Sequence, residues 1–149
     1  TTSTQNNLTT LGKFKDHALA AAYDFGIVRV SAAWRRFDHA KAEQTNLLLG
    51  ATVPAGSAGQ VKLSWGRAEF DGSVGATDIS ANGARQIGLG YVHNLSKRTT
   101  AYVGYGKISN DNKLNVLSNI NIAAGAGVVA LPAAGQDSSG FGMGMRHTF

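Results

Sequence analysis

The sequence contains no cysteine, which removes disulfides, thiolate metal sites and cysteine nucleophiles together. That absence suits an oxidising compartment, where a stray thiol is a liability. Proline occurs only twice, and charged residues make up 15% of the chain, well below the roughly 25% of ordinary soluble proteins. No run of about 18 apolar residues exists, and the mean hydropathy is -0.10, so no membrane-crossing helix is expected. There is no initiator methionine and no signal peptide, which reads as a mature protein or a piece of one. Metal-protease, P-loop and nucleophile-elbow motifs are missing. The four histidines, His17, His39, His93 and His147, lie far apart without metal-ligand spacing. Gly88-Leu89-Gly90 and the Gly140–Gly144 repeat open no helical pattern, so neither reads as a phosphate loop. The chain is therefore read as a non-enzyme with no catalytic residue, no metal and no cofactor.

What is present is two-residue alternation, with 19 glycines. It marks seven segments, at 17–26, 27–37, 45–54, 60–70, 85–94, 99–109 and 140–149. Each is close to the 9–11 residues of a tilted membrane strand, and longer than the usual soluble strand of about 5–6. One side of each segment is apolar: Leu19 and Tyr23, Val30 and Trp34, Leu47 and Leu49, Leu63 and Trp65, Ile87 and Leu89, Val103 and Tyr105, Phe141, Met143 and Met145. The other side is small or polar, with sparse cations and almost no acid. A solvent-facing sheet surface would carry many Lys and Glu; a water-filled bore is lined this way instead.

Segments 27–37, 60–70 and 99–109 follow short connections, while 38–44, 71–84 and 110–139 read as longer loops and residues 1–16 as a further outside loop. The Ala/Gly-rich stretch 122–134, with Pro132, falls inside the longest. Short turns at one end and long loops at the other are the pattern of outer-membrane barrels. The fold class expected is all-β: a transmembrane antiparallel β-barrel. Seven strands leave an unpaired edge, and open edges are not tolerated in lipid. Either a weak strand hides within residues 1–14 or the chain is part of a larger barrel, and the second is favoured.

YDFG (Tyr23–Gly26), LGATVPAG (Leu49–Gly56), LGYVHNLSKRT (Leu89–Thr99) and GMRHTF (Gly144–Phe149) resemble the C-terminal half of the general porins of Gram-negative bacteria, of the beta-proteobacterial type. The resemblance runs over residues 17–149. It implies the last seven or so strands of a sixteen-stranded barrel, usually a homotrimer, that passes small hydrophilic solutes passively across the outer membrane. The N-terminal half, with its inward-folded outside loop, has no counterpart here. Implied partners are outer-membrane lipid, the N-terminal half of the same barrel, further copies in a trimer and the barrel-assembly machinery, with no nucleic acid.

Among individual residues, Arg29, Arg35, Lys62 and Arg146 share the inward parity and are expected to line the pore and favour anions. The stripe Phe141, Met143, Met145 and Phe149 looks like the terminal signal read by assembly machinery, and is an edge suited to strand addition. Phe149, Tyr23, Phe25 and Tyr91 are expected in an aromatic girdle at the short-turn rim, with His93 and His147 beside them. Arg36 and Arg67 have outward parity near the opposite rim, as contacts for lipid headgroups or as solvated loop-edge charges. Two rivals stand beside the channel. A small outer-membrane barrel serving as adhesin or membrane enzyme would need a clustered polar set at the outer rim. A soluble basic β-protein for nucleic acid would not put Trp34, Trp65, Met143 and Met145 on one apolar side.

Overall fold

The computed structural model describes residues 2–6, 13–74, 76–112 and 133–149. Its strands are β1 (Thr2–Asn6), β2 (Lys13–Asp24), β3 (Arg29–His39), β4 (Ala42–Ala55), β5 (Gly59–Val74), β6 (Thr77–Asp78), β7 (Gly83–Asn94), β8 (Thr99–Asp111) and β9 (Ser138–His147). They form one antiparallel meander in the order β1-β2-β3-β4-β5-β7-β8-β9, with the two-residue β6 against β5. The all-β fold is as expected, and each of the seven segments is a long strand.

Direct cross-strand partners lie on one face of a sheet, so the register sorts the side chains. One row runs Tyr23, Val30, Ala51, Leu63, Leu89, Tyr105, Phe141; the next, on the opposite face, runs Asp24, Arg29, Thr52, Lys62, Gly90, Gly104, Gly142. Among the described residues nothing covers the apolar face. Leu19 is 71% exposed, Leu89 52% and Met143 70%, and among the described residues Ile108 is the one buried hydrophobic side chain. Sheet twist leaves the middle of the apolar face hollow, an open trough of about 890 Å³ with Leu49, Leu63, Trp65, Ile87 and Leu89 in its lining. In water such a face would collapse onto a partner, since burial is worth roughly 25 cal/mol per Å². Its complement is a hydrocarbon solvent.

The strands outrun the expected segments, mostly toward one end, and the expected loops shrink accordingly. Residues 1–16 are not simply an outside loop: β1 and the start of β2 pair, with Thr2 opposite His17 and Asn6 opposite Lys13. The weak alternation at 8–12 lies outside the described residues. The loop expected at 38–44 is a turn of Ala40 and Lys41, with His39 opposite Ala42 and Ala40 at a φ of 55°. The region 71–84 is partly strand, because β5 continues to Val74 and folds back through β6. β8 reaches Asp111 and β9 begins at Ser138; residues 113–132 of the expected long loop lie outside the described residues. At the other end β2, β3 and β9 stop sooner: Phe25–Val28 form the first turn, closed by Phe25 N–H donating to the Val28 carbonyl at 2.9 Å.

These differences have one physical cause. Toward the long-loop end the face that is oily lower down turns charged, so the apolar alternation fades while the backbone ladder continues. Ion pairs take over there. Arg36 contacts Asp38 at 3.1 Å and Glu43 at 2.6 Å, Arg67 contacts Glu69 at 2.5 Å, and Lys107 contacts Asp137 at 2.7 Å. Arg85 and Asp111 are 3.4 Å apart.

Both edges of the sheet are open among the described residues. β1 reaches along β2 only as far as His17, so Ala18–Asp24 has no partner on that side, and β9 pairs only with β8.

Candidate functional site

The polar face is built by the same alternation that makes the other face oily. Its middle is nearly bare. Gly88, Gly106 and Gly140 form one row and Gly90, Gly104 and Gly142 the next. At Gly144 the ring of its partner Tyr102 lies across the glycine, where a Cβ would come within 2.7 Å of the ring carbon Cζ. This covering of a strand glycine by a neighbouring aromatic ring ties β8 to β9. The Ser31 hydroxyl leans over Gly50 in the same way.

Arg29, Arg35, Lys62 and Arg146 all stand on this face, but in different settings. Arg35 is neutralised. Its guanidinium donates to both carboxylate oxygens of Asp16, at 3.0 and 2.6 Å, and lies 4.2 Å from the Phe37 ring centroid. Such a fork onto a carboxylate fixes the guanidinium plane. Phe14 joins the cluster, 5.9 Å from Phe37. Asp16 is not among the residues expected to matter. It has the parity of Ala18 and Ala20 but lies one residue before the expected segment at 17–26.

Arg29 and Lys62 sit at the short-turn end, opposite Thr52 from either side. Arg29 also faces Asp24 across the β2–β3 ladder, yet the carboxylate is turned into the hairpin, where its Oδ1 accepts from Gly26 N–H at 2.8 Å. No acidic side chain among the described residues lies within ion-pair distance of Arg29, Lys62 or Arg146. A hollow of about 470 Å³ opens over this region, lined in part by Arg29, Thr52, Gln60 and Lys62. Arg146 stands apart, opposite Thr100 on β8.

Charge is segregated along the strands. The short-turn end holds Arg29, Lys62, Lys97, Arg98 and Arg146 against Asp24 alone, while Asp16, Asp38, Glu43, Glu69, Asp71, Asp78, Asp111 and Asp137 all lie at the long-loop end. There they offset the remaining described cations, so nearly all of the net charge of +5 belongs to the short-turn end.

The apolar face carries the aromatic residues of the short-turn rim together. Tyr23 and Phe25 meet edge to face at 4.6 Å between centroids, and His147 and Phe149 do so at 4.9 Å. Tyr91 hydrogen-bonds His93 Nδ1 at 3.0 Å. Phe141, Met143 and Met145 form the exposed stripe of β9. Arg36 and Arg67 are held in the ion pairs given above rather than left to headgroups alone. Among the described residues no cluster of three or more His, Asp or Glu has metal-binding geometry, and no helix is long and apolar enough to cross a membrane, which says nothing of crossing by strands.

A family model described as Gram-negative porin matches residues 1–113. The chain belongs to the Gram-negative porin family. Outer membrane porin protein 32 of Delftia acidovorans, a beta-proteobacterium, is 33% identical over 136 residues, covering 88% of this chain and 36% of the relative. The chain thus spans about a third of the length of that curated porin, at 36%. No solved structure matches it. As a porin it belongs in the outer membrane. The family match takes in the N-terminal hairpin that sequence reading set aside as loop, and leaves the GMRHTF terminus outside its bounds.

Proposed function

We propose that this porin segment forms one side of the wall of a passive diffusion channel for small hydrophilic solutes and ions, with a preference for anions. The supporting observation is the two-faced open sheet. Its oily face suits acyl chains, its opposite face is small and cationic, and its two free edges require further strands before any backbone can sit in lipid. Those strands come from the rest of a longer porin, and the closed barrel assembles as a trimer. Arg29, Lys62 and Arg146 supply the unpaired positive charge that lowers the barrier for anions. The terminal stripe of Phe141, Met143, Met145 and Phe149 offers the edge on which assembly machinery builds.

The test is a bilayer recording on the assembled porin under a salt gradient. The reversal potential is expected to show chloride favoured over potassium, and the Arg29→Gln/Lys62→Gln variant is expected to move it toward zero. A wild-type potential at or beyond the potassium side removes the anion preference.

A further inference from the structure

The cations of this sheet fall into two kinds, and the difference is structural. At the long-loop end Arg35, Arg36, Arg67, Arg85 and Lys107 each meet a carboxylate within 3.4 Å. Among the described residues Arg29 and Lys62 meet none, although Arg29 has Asp24 as its direct cross-strand partner. Asp24 spends an oxygen on the Gly26 amide of its own turn, a turn that Gly26 closes at a φ of 84°. The residues beyond Lys62 in its row are Gly90 and Gly104, which offer no side chain at all.

The two cations flank Thr52, one strand away on each side, so their Cα atoms are two strand spacings apart, about 10 Å. Both side chains are long enough to bend inward over Thr52. The hollow above them, about 470 Å³, is bordered by Ser31, Thr52 and Gln60 as well, and at its β2 side by Asp24, whose Oδ1 accepts from the Gly26 amide. Two hydroxyls and an amide can donate to a bound oxyanion, while a guanidinium and an ammonium balance its charge. Chloride uses little of this set; an anion with several oxygens and two charges uses all of it.

We infer that Arg29 and Lys62, with Thr52, Ser31 and Gln60, form a discrete binding station for compact divalent oxyanions at the short-turn mouth. This rests on the channel reading given above, but goes beyond a diffuse preference for anions: the station saturates. Phosphate and short dicarboxylates share the required chemistry, and the two are separated by the test.

The experiment measures chloride current through the assembled porin while inorganic phosphate, or separately malonate, is added on the short-turn side. Wild type is expected to show saturable inhibition. Arg29→Gln/Lys62→Gln is expected to weaken it by about tenfold or more. Lys97→Gln/Arg98→Gln removes the same charge from the same mouth but outside the hollow, and is expected to leave the half-inhibition concentration within about twofold. Thr52→Val, which keeps both cations, is expected to weaken inhibition about threefold to tenfold, and serves if the double variant does not assemble by heat-modifiable migration. Inhibition by phosphate alone narrows the ligand to a tetrahedral oxyanion, and by malonate alone to a dicarboxylate; either supports the station. Inhibition by neither overturns it, as does equal weakening in the two double variants, which would mean diffuse mouth charge. The reversal potential keeps the failures apart: an anion-preferring channel without saturable inhibition loses the station and keeps the preference.

Discussion

Gly72 ends the straight part of β5 at a φ of 90°, in the half of conformational space that a side chain disfavours. A Cβ there would overlap the carbonyl oxygen of Lys41, the atom that accepts from Ser73 N–H at 3.0 Å. The residue thus couples the β3–β4 turn to the return of β5 through β6. Gly72→Ala is expected to cost about 2 kcal/mol or more, read as a lower temperature for loss of the folded band on heat-modifiable gels. An unchanged transition would show that the corner shifts freely. At this scale parity is legible in the sequence and partners are not. A period of two puts Arg29, Arg35, Lys62 and Arg146 on one face. That Asp16 reaches Arg35 while Asp24 turns away from Arg29 depends on where a hairpin bends, which alternation does not record.

The strands show where a hydropathy pattern carries information and where it stops. Through the lipid-facing band every second residue must be oily, and there the seven segments were legible. Above it Arg36, Glu43, Arg67 and Arg85 stand where Leu and Trp would lower down, and pairing rather than oiliness keeps the ladder intact. Lys107 and Asp137 are one such pair, tying the chain just before β9 to β8. The Lys107 ammonium, hydrogen-bonded to Asp137, holds that carboxyl below its ordinary value of 3.8, with smaller help from Ser109 and Arg85. A depressed native pKa contributes stability that is complete above the ordinary value and is lost as the pH falls from there through the native one. Hydrogen exchange at Ser138–Gly140, corrected for intrinsic rates, is therefore expected to be faster at about pH 3 than at about pH 6, with the rise setting in only as the pH falls to the ordinary value of 3.8 and below. Lys107→Met should remove most of that difference; a difference that persists in the variant would assign the pH response to another group.

On the scale of the whole wall, the placement of charge sets a direction. Short-turn cations face one acid, while the long-loop end is nearly balanced, so the segment presents a cationic mouth and a neutral one. When the long-loop side is made positive, anions move from the cationic mouth into the neutral part of the bore. Cations arriving from the other side are held back by the same mouth, so both ions accumulate and conductance rises. The opposite voltage depletes both. Rectification of this kind needs fixed charge to act across the bore, which screening of about 10 Å at 0.1 M salt permits and about 3 Å at 1 M does not. The assembled porin is expected to give a curved current–voltage relation in dilute salt that straightens in concentrated salt, with larger current at positive long-loop potential. Lys97→Gln/Arg98→Gln should flatten the curve even though it spares the oxyanion station, because rectification depends on total mouth charge and the station on two particular side chains. A straight relation in dilute salt would mean that the remaining strands of the barrel bring acids to the same mouth, placed to cancel what this side supplies.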